Sequence, residues 1–480
     1  MTAGVADDVE TAFAGPGALA RLVGERQVSP RELVELFLAR IDALDPRLNA
    51  FRVTLAEQAL AEADELDAAR AAGPLAGVPI AIKDDIPLAG QIATKGTRVL
   101  AEYGARAPVD AEPIRRLRVA GAIPIGITNV PELTVFPWTA TTANGITRNP
   151  WDPSRTPGGS SGGSAAAIAS GMAPAATASD GGGSIRIPAA CCGLVGMKPT
   201  RGRVPSGPGS SDPSSGWLGL AGPGALARTV ADSALLLDVI HGPAPGGDPG
   251  TLPRHEGSYK RAAATDPPPL RIAISCKVPF GVVARVGRSQ RDAVDSTAGL
   301  FEQLGHSVEP CDPDYGLAQL EFVQAWFRGV YEEAASTGRR NELERPTRQM
   351  AAAGRYLIAP PVKRRLLRVR PRTSARIMAL WDRFDVLITP GLARAPVAAE
   401  GALERSAPIA IDLAARMTPF TAIFNLTGQA AISVPAGFDD DGLPLAVQLV
   451  GRLGAEDVLY ALAGQLERAR PWAQHRPPIA

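Results

Sequence analysis

Two serines set in glycine clusters could do nucleophilic chemistry. Ser160 lies in Gly158-Gly159-Ser160-Ser161-Gly162-Gly163-Ser164, and Ser184 in Asp180-Gly181-Gly182-Gly183-Ser184-Ile185-Arg186. Glycine lets a backbone bend sharply and approach a ligand closely. The second cluster also sets a row of backbone N–H groups just ahead of a hydroxyl, the arrangement an oxyanion needs beside a nucleophile. A serine hydroxyl is a poor nucleophile near neutral pH and requires a base within hydrogen-bonding reach. The four histidines, His241, His255, His306 and His475, lie in neither cluster. Lysine can replace histidine if it is held neutral, and burial in an apolar site lowers its pKa. Lys83 ends the run Gly77-Val78-Pro79-Ile80-Ala81-Ile82-Lys83-Asp84-Asp85, where Val78, Ile80 and Ile82 offer that burial.

Each feature alone has a plainer explanation. A Gly-Gly-Ser-Ser-Gly-Gly stretch can be a flexible loop or an anion-binding nest. Ser160 and Ser161 each also match the G-x-S-x-G elbow, but that arrangement needs an acid and then a well-placed histidine downstream. A lone lysine at a strand end is ordinarily exposed. The combination, in one fixed order along the chain, is what points to a shared site. Cys191 and Cys192 read as small buried packing residues, with no histidine near to activate a thiol. Lys363, Arg364, Arg365, Arg368, Arg370, Arg372 and Arg376 read as a solvated helix face.

The elements that must position these residues follow from periodicity. Ser29-Pro30-Arg31-Glu32 is a capping box with proline at the first helical position, and Leu33, Leu36, Phe37, Ile41 and Leu44 then repeat at helical spacing. Asp45-Pro46 is expected to end that helix. A second helix is expected over 57–71, a buried strand over 77–82, a helix over 111–120 and a strand over 123–127. Residues 205–222, dense in Gly, Pro and Ser, read as a long functional loop with Trp217 inside it. Thr229-Val230-Ala231-Asp232 caps a helix to about Ile240, and 244–269 reads as linker. Strands are expected at 271–275 and 385–390, mainly helix between about 288 and 380, and a hairpin of 431–438 with 445–450 around Asp441-Gly442. A last helix covers roughly 455–468. Strand–helix alternation predicts an α/β core with an at least partly parallel sheet.

Composition narrows the class. Fifty basic against 49 acidic residues leave a net charge of +1, so no global field steers the chain to nucleic acid or anionic membrane. The four cysteines, with no C-x-x-C pair, argue against a zinc site and a disulfide framework and suit a reducing, cytoplasmic setting. The acidic start, 1–8, carries no signal-peptide pattern, and no apolar run is long enough to span a membrane.

The Lys83 run and the two serine clusters together resemble the amidase signature family, hydrolases with a Ser–Ser–Lys triad. Gly126-Ile127-Thr128-Asn129, Asn149-Pro150-Trp151-Asp152, 196–203, Gly222-Pro223, Asn425-Leu426-Thr427-Gly428 and Gln448 extend the resemblance over most of 25–240 and 385–472. Ile127, Ala430 and Ala446 depart from the residues usual there, and none is a triad position. The resemblance implies a central mixed β-sheet flanked by helices on both faces. An N-terminal helical segment, 1–75, would pack on a catalytic core, 76–480, with a variable, mainly helical region at about 280–380. It implies Ser184 as nucleophile and Ser160 as proton relay, joined to Gly159 by a cis peptide. Lys83 would be the base, and Gly181, Gly182 and Gly183 the oxyanion hole. Gly158, Gly159 and Ser161 would shape the site, and Asp180 would pair with Arg186 to hold the loop. The expected reaction is hydrolysis of a small carboxylic amide, without metal or organic cofactor, in a protein compatible with a homodimer. The rivals are the glutamine-hydrolysing subunit of a tRNA-dependent amidotransferase and a non-catalytic binding protein on the same fold.

Overall fold

The computed structural model describes residues 8–69, 72–207, 217–244 and 252–480. Thirteen strands occur among them: β1 (Phe51–Thr54), β2 (Pro79–Lys83), β3 (Ile123–Thr128), β4 (Ala140–Thr141), β5 (Gly145–Ile146), β6 (Ala176–Asp180), β7 (Val195–Lys198), β8 (Gly222–Ala227), β9 (Arg271–Ile274), β10 (Ser307–Pro310), β11 (Val386–Pro390), β12 (Ala431–Phe438) and β13 (Pro444–Val450). All except β4 and β5 join one 11-stranded sheet in the order β1-β3-β2-β6-β8-β7-β12-β13-β11-β9-β10. The sheet is mixed: β2 runs parallel to β3 and β6, β9 parallel to β10 and β11, and the remaining neighbours are antiparallel. Helices flank it, so its central strands are buried along their length.

Because β2 and β6 are parallel neighbours, their C-terminal ends lie at one edge of the sheet. That edge receives Lys83 from β2 and Ser179-Asp180 from β6. The helix Gly162–Ala169 follows the first serine cluster, packs on β2 and β6, and is buried at every residue. Its small side chains let it lie close to the strands. At Gly163 an added Cβ would come within 2.4 Å of the Ala50 carbonyl oxygen and 2.5 Å of the Asn129 nitrogen, so no larger residue fits.

The capping box forms as expected: Glu32 N donates to Ser29 Oγ at 3.1 Å and Ser29 N to Glu32 Oε2 at 2.7 Å. The helix does not stop at Asp45-Pro46, however, but runs from Pro30 to Leu48. Pro46 lies inside the last turn, so the helix forgoes one N–H bond to the preceding turn there and ends two residues later. The Asp45 carboxylate instead accepts from Ala50 N at 2.6 Å, fixing the exit into β1. The helix expected over 57–71 spans Ala56–Ala68, with residues 70 and 71 outside the described set. Strands β6, β7 and β8 were not expected. β6 and β8 are largely Ala, Gly, Ser and Pro and β7 is the short Val-Gly-Met-Lys, none with more than one β-branched residue, and being buried they show no alternation. Edge strands β1 and β10 are only four residues long and also carry little pattern. Of the loop over 205–222, residues 208–216 lie outside the described set, Trp217–Gly219 form a short 3₁₀ turn and Gly222 opens β8. The linker at 244–269 holds a short helix, Tyr259–Ala263, and its residues 245–251 are likewise outside, as are residues 1–7 of the acidic start. The region 280–380 contributes the helices Arg288–Gln303, Ala318–Ser336, Arg345–Leu357 and Pro360–Met378. In the last of these Arg370 is buried and donates to the Leu218 carbonyl at 2.6 Å, so the basic face is not wholly solvated.

Candidate active site

Lys83 is fully buried at the end of β2. Its Nζ donates to Ser160 Oγ at 2.9 Å and to Ser179 Oγ at 2.6 Å, and lies 3.2 Å from Asp85 Oδ2. Ser179 Oγ donates in turn to Asp85 Oδ2 at 2.5 Å. Burial lowers the Lys83 pKa, and the Asp85 carboxylate works against that shift without cancelling it. The adjacent Asp84 turns away. It pairs with Arg52 at 3.1 Å and accepts from Thr94, so its role lies in tying β2 to neighbouring loops. Asp85 and Ser179 were given no part by the sequence reading. The sequence signal for Ser179 was its place five residues ahead of Ser184 and next to Asp180; its strand, parallel to β2, is seen in the structure.

The Gly159–Ser160 peptide is cis, and Gly158 has φ +85°. Thr139 Oγ1 donates to the Gly158 carbonyl at 2.9 Å, holding this turn against the loop that leads into β4. Ser161 N donates to the Ser184 carbonyl at 3.3 Å, which joins the two serine clusters directly. Ser160 and Ser184 line one cavity of about 640 Å³ together with Asp85 and Ser179. Among the described residues Ser184 Oγ has no hydrogen-bond partner.

Behind Ser184 a buried network fixes the glycine loop. Arg186 holds Asp180 through two 3.0 Å bonds and also donates to Thr421 O, Gln448 Oε1 and Asn425 Oδ1. Asn425 Nδ2 donates back to the Asp180 carbonyl and carboxylate at 2.9 Å each. Burial would raise Asp180, but the Arg186 charge and hydrogen bonds hold it well below the usual carboxylate range. Every arm of this ion pair is hydrogen-bonded, the condition under which a buried pair persists. Gly183 differs from its expected role. Its N–H donates to Asp180 Oδ1 at 2.6 Å, and Thr421 Oγ1 donates to the preceding Gly182 carbonyl at 2.7 Å, so this peptide is clamped on both sides. Its φ of +128° and a Cβ position only 2.4 Å from Thr421 Oγ1 explain the glycine. The N–H groups of Gly181, Gly182 and Ser184 carry no such bond among the described residues.

Other candidates fall away. Cys191 and Cys192 are buried, and burial pushes both thiols up. None of the four histidines lines the cavities at Ser184: His241 bonds the Leu237 carbonyl, His306 bridges Leu270 N and Gln465, His255 stacks on Tyr259, and His475 packs at a tilt against Phe438. Among the described residues no group of His, Cys, Asp and Glu could hold a metal ion, and no helix is long and apolar enough to cross a membrane.

The Amidase family profile matches residues 32–459. A Mycobacterium tuberculosis protein provisionally named amidase AmiB2 is 44% identical over 482 residues, covering 99% of this chain and 100% of its own. The structure of 6-aminohexanoate cyclic dimer hydrolase complexed with substrate superposes with a TM-score of 0.88 at 32% identity, over 98% of this chain and 99% of that one. A bacterial aryl acylamidase of the amidase signature family gives 0.86 at 30% identity, over 96% and 97%. With the family profile spanning residues 32–459 and relatives matched over nearly its whole length, the chain belongs to the amidase signature family of amide hydrolases.

Proposed function

We propose that the protein hydrolyses a small carboxylic amide through an acyl-enzyme on Ser184, with Ser160 and Lys83 moving the proton. The observation that carries this reading is the 2.9 Å bond between Lys83 Nζ and Ser160 Oγ at the wall of a cavity that Ser184 shares. Neutral Lys83 accepts the Ser160 proton while Ser160 accepts that of Ser184, and Ser184 Oγ bonds to the carbonyl carbon. The oxyanion is met by the N–H groups of Gly181, Gly182 and Ser184, with Asp180 holding the intervening peptide in place. When the C–N bond breaks, the amine nitrogen takes its proton from Ser160, which recovers one from Lys83. Water then cleaves the ester by the same route, giving carboxylate and free Ser184. The relatives' printed substrates, a cyclic amide and aryl acylamides, support an uncharged amide at this site.

Incubation with a fluorophosphonate should place one adduct on Ser184, read by peptide mass spectrometry, and Ser184→Ala should remove nearly all amide turnover. An adduct on Ser160, Ser161 or Cys191 instead would overturn the assignment.

A further inference from the structure

Two cavities meet at Ser184. The larger, about 640 Å³, is lined by Ser160, Asp85 and Ser179. The smaller, about 120 Å³, touches Ser184, Gly159 and Gly182 but none of those three. Trp326 stands between them as a wall of both. The leaving nitrogen must face its proton donor, so it lies on the Ser160 side. The carbonyl oxygen faces the glycine loop, and the acyl carbon chain is left with the smaller cavity. Phe136, Phe322, Val323, Trp326, Met350 and Ile411 make that cavity apolar, and no charged side chain is among the described residues that line it.

Its one polar anomaly is Gln319. The helix Ala318–Ser336 presents residues 319, 322, 323 and 326 along one face, the i, i+3, i+4, i+7 stripe that normally stays apolar. Gln319 opens that stripe. Its side chain is 8% exposed, and among the described residues its Oε1 has no hydrogen-bond partner. Apart from Ser184 at the junction, the remaining polar lining residue, Thr418, already donates to Ala414 O at 2.9 Å. Gln319 lies two helical turns, about 10 Å along the axis, from Trp326 at the junction of the cavities.

We infer that the smaller cavity receives the acyl half of the substrate and that Gln319 selects an acyl chain ending in a neutral hydrogen-bonding group, an amide or a hydroxyl. The inference rests on the acyl-enzyme reading of Ser184. A dry cavity of ~150 Å³ accommodates benzene, so the slot suits an apolar segment of about six carbons. Gln319 can both donate and accept, so a terminal amide satisfies it, whereas a plain alkyl end leaves it unpaired. A terminal carboxylate or ammonium would meet no counter-charge there.

The test uses p-nitroanilides of hexanoic acid and of its ω-carboxamide, ω-carboxylate and ω-amino derivatives, with kcat/KM read for each. The wild type should favour the carboxamide over the alkyl compound by roughly 10–100-fold, with both charged ends poorer. Gln319→Leu should reverse the ratio of carboxamide to alkyl. Gln319→Glu should favour the ω-amino compound over the alkyl one, a gain that carries the test if the Leu variant does not fold. A wild type indifferent to the acyl end, or variants that leave these ratios unchanged, would overturn the role of Gln319. So would variants that change preference among amines but not among acyl groups. Best turnover of γ-glutamyl-p-nitroanilide, whose acyl half is charged, would also overturn it and favour a glutamine-hydrolysing enzyme. Failure of the acyl-enzyme itself would show separately, as turnover of hexanoyl-p-nitroanilide that survives Ser184→Ala.

Discussion

Lys83 and Lys198 sit on strands of the same sheet, both buried, and both have pKa values lowered by that burial. Their surroundings differ in kind. Lys83 Nζ meets two serine hydroxyls and a carboxylate at the wall of a cavity. Lys198 Nζ donates to the Pro199 carbonyl at 3.0 Å, with Arg186 adding to the burial in lowering it to about 7. On pKa alone Lys198 would pass for the base of a neutral-pH enzyme. Geometry decides otherwise, because only Lys83 reaches a hydroxyl that borders Ser184. A depressed pKa marks a desolvated site, and chemistry needs a proton partner within reach.

The sharpest way to break this contrast is to remove the lysine that is proposed to act. Lys83→Met should lower amide turnover by ~10³-fold, within the range for a positioned acid–base group. The loss on activated esters should be smaller, since their leaving groups need little protonation. Substituting each histidine by Asn or Gln should leave turnover largely intact in steady-state assays. If one histidine variant lost all activity while Lys83→Met kept it, the lysine reading would fail.

A finer test asks what Asp85 does to Lys83. Its carboxylate raises the lysine pKa against the burial that lowers it. Asp85→Asn removes the charge that favours the protonated form, so the pKa should fall further. Lysine must be neutral to act, so activity should rise with pH in both proteins. In the variant that rise should sit at lower pH. A pH profile of kcat/KM that loses height without moving would mean that Asp85 only orients Ser179.

The candidate site's arrangement was legible where its parts are close in sequence. Lys83 at the end of an apolar run, the two serine clusters and the Asp180–Arg186 pair could be read because each is local, and so could the Asp441-Gly442 hairpin. Asp85 was harder, since two adjacent aspartates look alike until the strand end sends one to Arg52 and the other to Lys83. Gly183 was misleading because a glycine run does not say which N–H is already taken. Strands of alanine and glycine were missed, since a strand covered on both faces has neither alternation nor a need for bulk. Gln319 had a signal that went unused: a polar residue opening an apolar helical stripe.

The smallest expected effect concerns the second lysine. In the unfolded chain Lys198 titrates near 10.5, and in the folded protein near 7. Between those values the unfolded chain holds a proton that the folded one has released, so rising pH favours folding across that window. Below about pH 7 both states carry the charge, and the folded state bears the full penalty of burying it. Lys198→Met removes the penalty, so it should stabilise the protein by roughly 1–3 kcal/mol at pH 6. The gain should shrink steadily toward pH 10. Urea midpoints at pH 6, 8 and 9.5 would show this, and turnover should persist because Lys198 bonds no serine. A Lys198→Met protein that folds as stably as wild type yet has lost turnover would place Lys198 in the chemistry and undo the contrast with Lys83.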